Sequence, residues 1–446
     1  MNVRKIALNL LNEYEAGEKY ANLSLSSHMT DGLSAAERSA LTALFYTTVE
    51  HKLTYDYYVA ALSGRSIEKI DLYTKNILRL GLCQIADMRS IPDFAAVNES
   101  VKLARNGGER AFVNAILRSA VRVKDSLPLP DRKKNAARFL SVKYSFPLHT
   151  VKLFISLYGE EECERLLETF NGSKYTDLTV NTLKITPLSL ISSLGDEGIV
   201  ATADEGLGSS LRILGSFNPE RTGGFSEGKF FVQDKASLLS AAALSPKAGE
   251  LIIDTCACPG GKSFAAAILS GDKAKIYSYD LHESKLSLVT EGAMRLGLTS
   301  ISADAVDALV GNPDLFGKAD KVICDAPCSG LGVLGKKPDL RYKSQEAIDG
   351  LPELQGEILK TSAKYLKVGG ELVYSTCTLN PKENEEVVEL FLRENEDFAK
   401  KDFTAGSYAS DNGSLTLTPT TDGTDGFFMA KIVRVKKRKF TPVCHF

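Results

Sequence analysis

The sequence has no apolar run of about eighteen residues, the length that a helix needs to cross a membrane, so we expect no membrane-spanning segment. Residues 1–19 place acids after only a short apolar stretch and show no cleavage-site pattern, which predicts a helix rather than a signal peptide. The eight cysteines lie at irregular spacing, unlike a disulfide framework. We therefore expect a reducing, cytoplasmic environment.

Clustered metal ligands and a strong net charge are also missing. The five histidines form no cluster, and Cys256 and Cys258 are too close for a C-x-x-C pair, so we expect no metal site. The net charge is only −2, but residues 1–135 hold 19 Lys/Arg against 15 Asp/Glu, and the remainder 35 against 41. Residues 431–440 contain six basic residues and no acid, which suits either a solvated tail or a phosphate-docking segment.

The 446 residues are long enough for two or three domains. In residues 1–130 apolar side chains recur every three or four positions, which predicts an all-helical bundle. Two prolines and a basic cluster in residues 126–135 predict a linker. Residues 136–235 are expected to form a small α/β subdomain, and residues 236–446 a larger α/β domain.

In the larger domain, helices alternate with strands, which predicts a mostly parallel, doubly wound α/β sheet. In such a sheet, ligands bind at the carboxyl ends of the strands. The predicted strands are 251–256, 275–280, 299–304, 321–327 and 371–377, with a late strand at 426–435.

The loop after the first of these strands is suited to a ligand. Gly260 and Gly261 permit a tight turn and close approach, although the loop is neither a G-x-G-x-x-G nor a Walker motif. Asp280 ends the second strand, where an acid can accept hydrogen bonds from ribose hydroxyls, and Asp304 ends the third, near a possible adenine amino group. Each aspartate can instead cap a helix. Together, without a phosphate cradle, they favour a nucleoside-bearing cation such as S-adenosylmethionine.

Two cysteines follow the next two strands. Cys328 comes after Asp325 on the fourth strand, and Cys377 ends the fifth. One cysteine at a strand end is most often buried filler, but two at one edge beside a cofactor pocket favour chemistry.

A thiolate beside a methyl donor suits methylation of carbon 5 of a pyrimidine. That carbon becomes nucleophilic after a thiolate adds to carbon 6. Loss of the carbon 5 proton then needs a base, which the second cysteine can supply. Asp325, if protonated through burial, can hydrogen-bond N3 and the exocyclic amine of cytosine.

Three segments resemble the signature motifs of the RNA cytosine-5 methyltransferases, the Nol1/Nop2/Sun family. They are DTCACPGGKS (254–263), DAPCSGLGVLGKKPDLR (325–341) and YSTCTLNPKENEEVV (374–388). VNTLK, FVQDKAS and DGFFMAKI resemble further landmarks of this family. NILRLGLCQI, AVNESVKLA and RAFVNAILR resemble the antiterminator NusB, an RNA-binding helical domain. The combination resembles bacterial members that act on small-subunit ribosomal RNA.

The resemblance implies a Rossmann-like, S-adenosylmethionine-dependent methyltransferase domain, preceded by a NusB-like domain and a small RNA-binding subdomain. It implies that Cys377 is the nucleophile and that Cys328 helps to release the product, whereas DNA cytosine-5 methyltransferases attack with the cysteine of the PC motif. Lys262 is expected to reach the active-site edge as well. The implied cofactor-binding residues are Cys256, Ala257, Cys258, Pro259, Gly260, Gly261, Lys262, Asp280, Asp304 and Asp325.

The sequence departs from the family pattern at two positions. Cys258 stands where alanine is usual, and both residues are small. Gly335 stands where arginine is common, which removes one RNA contact. Lys336, Lys337 and Arg341 are the candidates to replace it.

Alternative functions remain open at this point. The target cytosine must be unstacked, so a single-stranded or hairpin-loop site in small-subunit ribosomal RNA is expected, with the protein acting as a monomer. Transfer RNA is a second possible substrate, and only the N-terminal domain argues against it. A non-catalytic RNA-binding assembly factor would show eroded thiol or cofactor motifs, and none is visible. An amino-methylating enzyme would carry an Asn/Asp-Pro-Pro-aromatic stretch in place of DAPC.

Overall fold

The computed structural model describes residues 2–17, 32–172, 175–204, 206–215 and 217–435. The chain divides into two compact units, Met1–Asn171 with Lys337–Tyr342, and Gly172–Lys336 with Lys343–Phe446. Among the described residues, every helix is too short or too polar to span a membrane.

The first unit is all-helical, as the apolar periodicity predicts. Its helix starts follow local capping rules: the Asn2 side chain accepts from two backbone N–H groups, and Ser34 and Glu37 form a capping box. The described helices are α1 Val3–Glu15, α2 Ala35–Glu50, α3 Lys52–Ser63, α4 Leu72–Ala86, α5 Asp93–Lys102, α6 Gly107–Arg122, α7 Ala136–Tyr144, α8 Leu148–Tyr158 and α9 Glu160–Asn171.

Helices α7 to α9 belong to this first unit, although the sequence suggested that a separate subdomain begins at residue 136. The reason is that α7 is tied to α3. The Thr54 hydroxyl donates to the Val142 carbonyl (2.5 Å), and the Leu53 N–H donates to the Ser145 hydroxyl (3.1 Å). The prolines at 128 and 130 therefore mark a turn within one compact unit, while the division into three functional domains stays a prediction.

A short segment that is distant in sequence completes the first unit. Arg341 is 0% exposed, and its guanidinium donates to the Glu50 carboxylate (3.1 Å) and lies 4.0 Å from the ring centroid of Phe146. The Tyr342 hydroxyl donates to the Val49 carbonyl (2.8 Å). A buried guanidinium needs such partners, because leaving water without them costs several kcal/mol.

The second unit begins with a small antiparallel sheet. The strand order is β2-β3-β1-β4, and Leu178, Leu211 and Phe230 are fully buried between the sheet and its helices. The elements are β1 Tyr175–Val180, α10 Pro187–Asp196, β2 Ala201–Ala203, β3 Ser210–Leu214, α11 Gly223–Ser226 and β4 Phe230–Val232.

The larger sheet of the second unit has eight strands in the order β10-β14-β9-β8-β5-β6-β7, with β13 also paired to β14. Strands β7, β6, β5, β8 and β9 are parallel, and β14 runs antiparallel to β9. The strands are β5 Leu251–Asp254, β6 Lys275–Asp280, β7 Ile301–Ala305, β8 Ala319–Asp325, β9 Leu366–Thr376, β10 Phe398–Lys400, β13 Ser414–Leu417 and β14 Phe427–Arg434, beside a hairpin of β11 Thr404–Ala405 and β12 Tyr408–Ala409.

Helices cover this sheet and carry some of the predicted motifs. The Asp234 side chain caps α12 by accepting from the Ala236 N–H (2.8 Å). The helices are α12 Lys235–Leu244, α13 Gly261–Leu269, α14 Leu286–Leu296, α15 Gln345–Asp349, α16 Leu351–Lys364, α17 Glu385–Glu394 and α18 Pro419–Asp422.

The basic run at 431–440 begins inside the sheet. Lys431 is 5% exposed and pairs with Glu371 (2.9 Å), and Arg434 lies near Asp397 (3.5 Å). These two residues of the run are therefore occupied by acids within the protein. Residues 436–440 lie outside the described residues.

We expect Glu50→Ala to destabilise the first unit by about 3–5 kcal/mol, because the buried guanidinium of Arg341 loses its carboxylate partner. Urea unfolding followed by far-UV circular dichroism measures this change. Glu168→Ala, which removes an exposed acid of α9, is the control and should change stability by less than about 0.5 kcal/mol. Equal unfolding curves for the two variants would contradict the expected role of the buried pair.

Candidate active site

The parallel strands bring the predicted site residues to one edge of the large sheet. The loop from Cys256 to Gly261 follows β5, Asp280 ends β6, and Asp304 lies near the end of β7. Asp325 ends β8, and Cys377 follows β9. Because carboxyl ends of parallel strands share an edge, every predicted site residue lies on this side of the sheet.

The loop after β5 is closely tied to the end of β6. The Ala257 N–H donates to the Tyr279 carbonyl (2.7 Å), and the Cys258 N–H donates to the Asp280 carboxylate (3.3 Å). Gly260 has a φ of +112°, and a Cβ there would lie 2.4 Å from the Phe264 ring. This position therefore requires glycine for both backbone conformation and space.

Asp254 was not singled out from the sequence, although it is the acid that begins the DTCACPGG motif. Its side chain is 1% exposed, and the Ser263 hydroxyl donates to it (2.7 Å). Burial raises the pKa of Asp254 to about 7.

Asp325 is held by two donors from different elements. The Lys262 ammonium, at the start of α13, donates to one carboxylate oxygen (2.6 Å), and the Ser375 hydroxyl on β9 donates to the other (2.7 Å). Both carboxylate oxygens of Asp325 therefore lie within hydrogen-bond distance of a donor. Lys262 itself is only 8% exposed, with its nitrogen 5.3 Å from the ring centroid of Phe427.

The two cysteines meet beside this ion pair. The sulfur of Cys328 lies 3.2 Å from that of Cys377. The hydrogen bond to Cys377, together with burial, raises the pKa of Cys328 well above the usual value for a thiol. Cys328 therefore holds its proton tightly, and at this distance a thiol can donate a hydrogen bond to the neighbouring sulfur.

The other cysteines near the site are poorer nucleophile candidates. Burial raises the pKa of Cys256, and it raises the pKa of Cys258 and of Cys324 to about 12. Cys324 is also fully buried within β8. Since the thiolate is the reactive form, these thiols are disfavoured relative to Cys377.

Two of the three basic residues suggested as replacements for an arginine at position 335 are occupied within the protein. Lys336 pairs with Asp234 (2.6 Å) and Asp425 (3.2 Å). Arg341 is fully buried against Glu50 and is not available to RNA, whereas the Lys336 side chain is partly exposed and its contact with RNA stays a prediction. Lys337 is exposed, and its contact with RNA stays a prediction.

Sequence comparison identifies both parts of the chain. Residues 241–433 match the model of the family described as 16S rRNA methyltransferase RsmB/F, and residues 1–122 match the NusB family. The probable ribosomal RNA small subunit methyltransferase B of Bacillus subtilis is 35% identical, over 97% of this chain and 98% of its own length. The chain belongs to this methyltransferase family. A Vibrio cholerae relative, ribosomal RNA small subunit methyltransferase B, is 30% identical over 96% of this chain and 97% of its own length.

Solved structures show the same fold. NSun6 from Pyrococcus horikoshii, solved with SFG, is 25% identical with a TM-score of 0.60, over 66% of this chain and 99% of its own. A methyltransferase homolog protein from Pyrococcus horikoshii is 27% identical with a TM-score of 0.59, over 68% of this chain and 99% of its own. The large sheet is therefore the Rossmann-like fold of S-adenosylmethionine-dependent methyltransferases, and the N-terminal helices form a NusB domain, as the motifs predicted.

We expect Asp254→Asn to weaken the pH dependence of stability. An aspartate in an unfolded chain has a pKa near about 3.9, whereas the pKa of Asp254 in the folded chain is about 7. The folded state binds the proton more tightly, so this group's contribution to stability falls as pH rises from about 4 to about 7. Between pH values of about 5 and 8, the thermal midpoint should therefore fall about 2–4 °C more in the unaltered protein than in the variant. Parallel profiles would mean that Asp254 does not titrate in this range.

Proposed function

We propose that this protein methylates carbon 5 of a cytosine in small-subunit ribosomal RNA, with S-adenosylmethionine as donor and Cys377 as covalent nucleophile. The observation that carries this proposal is the pair of sulfurs 3.2 Å apart on adjacent strands, next to the Lys262–Asp325 ion pair. Family membership supports the methyltransferase activity. The names of the relatives from Bacillus subtilis and Vibrio cholerae supply the substrate class.

The loop after β5 and the neighbouring acids fit S-adenosylmethionine. The N–H groups of Ala257, Cys258 and Gly260 are bonded within the protein rather than offered to a phosphate. The half-buried carboxylate of Asp280 and the exposed one of Asp304 favour a ligand with hydroxyl and amino donors and a positive charge. When bound, S-adenosylmethionine supplies a methyl group attached to a positively charged sulfur.

The sulfur pair suits a covalent route. As a thiolate, Cys377 adds to carbon 6 of the base and makes carbon 5 nucleophilic. The assignment of attack to Cys377 rests on its STC motif, and the short distance lets either sulfur reach the same base. After carbon 5 carries the methyl group, its proton must leave before the bond between Cys377 and carbon 6 breaks. Cys328, placed beside the nucleophile, is the proposed base in this step. Its thiol first loses its proton to solvent; the thiolate then takes the carbon 5 proton, the carbon 5–carbon 6 double bond forms, and Cys377 leaves as a thiolate.

The Lys262–Asp325 pair accounts for the preference for cytosine over uracil. An ionised Asp325 accepts a hydrogen bond from the exocyclic amine of cytosine, and Lys262 can donate a remaining N–H to a ring acceptor. Uracil carries an oxygen in place of that amine, so it would set a second acceptor against the carboxylate. The mismatch disfavours uracil, since an unpaired polar contact in a closed site costs about 1–3 kcal/mol.

The RNA must present an unstacked cytosine. A base inside a helix cannot reach a strand-end thiol, so a loop or an exposed single strand is the proposed substrate. The NusB domain and the small β1–β4 subdomain are proposed to hold the surrounding RNA. Transfer RNA is the competing substrate, and it would need the same chemistry at the cysteines.

The first test uses methyl-labelled S-adenosylmethionine with unmodified small-subunit ribosomal RNA or transfer RNA. After digestion to nucleosides, we expect label in 5-methylcytidine from the ribosomal RNA only. Label only in transfer RNA would keep the chemistry and reject the substrate. Absence of label from both RNAs, and also from isolated small-subunit assembly particles, would reject the proposed activity.

The second test compares the two thiols. Cys377→Ala should lower methylation by at least about 10³-fold, because the covalent route is lost. Cys328→Ala should accumulate a protein–RNA adduct on a denaturing gel, because the proposed base is missing. Cys163→Ala, in the first unit, is the control and should form product normally. An adduct that accumulates in Cys377→Ala instead would reverse the two assignments.

A further inference from the structure

A buried carboxylate lies behind the two cysteines. Glu383 ends a short helical turn, Pro381–Glu383, a few residues after Cys377, and it is 0% exposed. In the described part of the chain no lysine or arginine forms an ion pair with it. A charge buried without a cation is costly, so the hydrogen bonds around it must offset that cost.

Glu383 is surrounded by donors. One oxygen accepts from the Ser329 hydroxyl (2.6 Å), the Asn380 amide (3.0 Å) and, more weakly, the Thr378 hydroxyl (3.4 Å). The other oxygen accepts from the Ser329 backbone N–H (2.8 Å) and the Gln355 amide (3.0 Å). Each of its oxygens thus acts as an acceptor, and the donors come from three separate segments of the chain.

Two of these donors are the residues that immediately follow the cysteines. Ser329 follows Cys328, and Thr378 follows Cys377. Their hydroxyls are also 2.7 Å apart. Glu383 therefore links the two thiol-bearing loops at the residue after each cysteine, through the backbone and hydroxyl of Ser329 and, more weakly, the hydroxyl of Thr378.

A second set of bonds stiffens the same loops. Gln355 donates to the carbonyl of Pro327 (2.9 Å) as well as to Glu383. Lys343 donates to the carbonyl of Cys328 (3.0 Å), and the Gly332 N–H donates to the carbonyl of Cys377 (3.0 Å). The carboxylate is the acceptor shared by these two loops, so its loss should free them together.

We propose that Glu383 is a positioning residue that holds Cys328 and Cys377 at reacting distance, an inference that rests on the proposed role of this thiol pair. It acts through Ser329 and Thr378 rather than on the base or the methyl donor. An amide at this position would set N–H groups against the N–H donors of Ser329 or Gln355, so only a carboxylate satisfies the arrangement. The charge of Glu383 also contributes to raising the pKa of Cys328, after the bond to Cys377 and burial.

The test compares Glu383→Gln with Glu389→Gln, which removes the same charge from an exposed position of α17. Without RNA, the azo oxidant diamide accepts two electrons and two protons from the thiols of Cys328 and Cys377. The product is a disulfide between them, and diamide becomes a hydrazine. The rate, followed by mass spectrometry of the linked peptides, reports how often the sulfurs meet.

We expect the unaltered protein and Glu389→Gln to form this disulfide at the same rate, and Glu383→Gln to form it at least about tenfold more slowly. In the methylation assay, kcat should fall about 100-fold in Glu383→Gln, while KM for RNA and for the donor should change less than about threefold. This split is expected because the thiols are displaced while both binding surfaces remain. Equal oxidation rates and equal kcat in the two variants would overturn the proposal.

Ser329→Ala provides a second variant in case Glu383→Gln fails to fold. It keeps the backbone bond to Glu383 but removes the hydroxyl donor and the link to Thr378, so a smaller slowing of disulfide formation is expected. A lower melting temperature with an unchanged oxidation rate would show a merely structural role and reject positioning. A different outcome is that Glu383→Gln slows disulfide formation but the unaltered protein forms no 5-methylcytidine. This result would reject the proposed activity and leave the positioning role of Glu383 intact.

Discussion

The parallel pairing of β5 to β9 is the constraint on which the site depends. Parallel strands end at the same edge. The loop after β5 and the thiols after β8 and β9 therefore become neighbours in space although they are far apart in the sequence. The pairing of Asp325 with Ser375 across β8 and β9 sets the register at the site itself. A change of register there would move Cys328 away from Cys377 and separate the carboxylate from its hydroxyl donor.

Buried charge is the second recurring feature of this edge. Asp325 is neutralised by Lys262, whereas Glu383 relies on neutral donors from three segments. In both arrangements the loss of hydration is offset by hydrogen bonds that also define the position of the carboxylate, because a partly satisfied buried carboxylate is destabilising. The Lys262–Asp325 pair lies beside the thiols, and Glu383 binds the residues that follow them. In the proposed reaction one carboxylate selects the base and the other keeps the thiols together.

The two thiols differ although they touch. Cys328 binds its proton tightly because of its bond to Cys377, burial and the negative charges of Glu383 and Asp325. A proton held on one sulfur stabilises negative charge on the other, and this asymmetry suits one nucleophile and one proton carrier. The remaining cysteines of the site, Cys256 and Cys258, have raised pKa values and lie in the loop after β5.

The sequence by itself determined the order of strands and helices, the residues at each strand end and the helical nature of the N-terminal part. Alternation, capping residues and short motifs are local, so they can be read along the chain. It took Arg341 for a surface residue, because burial depends on partners far away in sequence. Only the tertiary structure decided that Lys262 pairs with Asp325, 63 positions away, and that Cys328 meets Cys377 across 49 positions. Such distances depend on strand pairing and on donors gathered from separate segments, which no local pattern encodes.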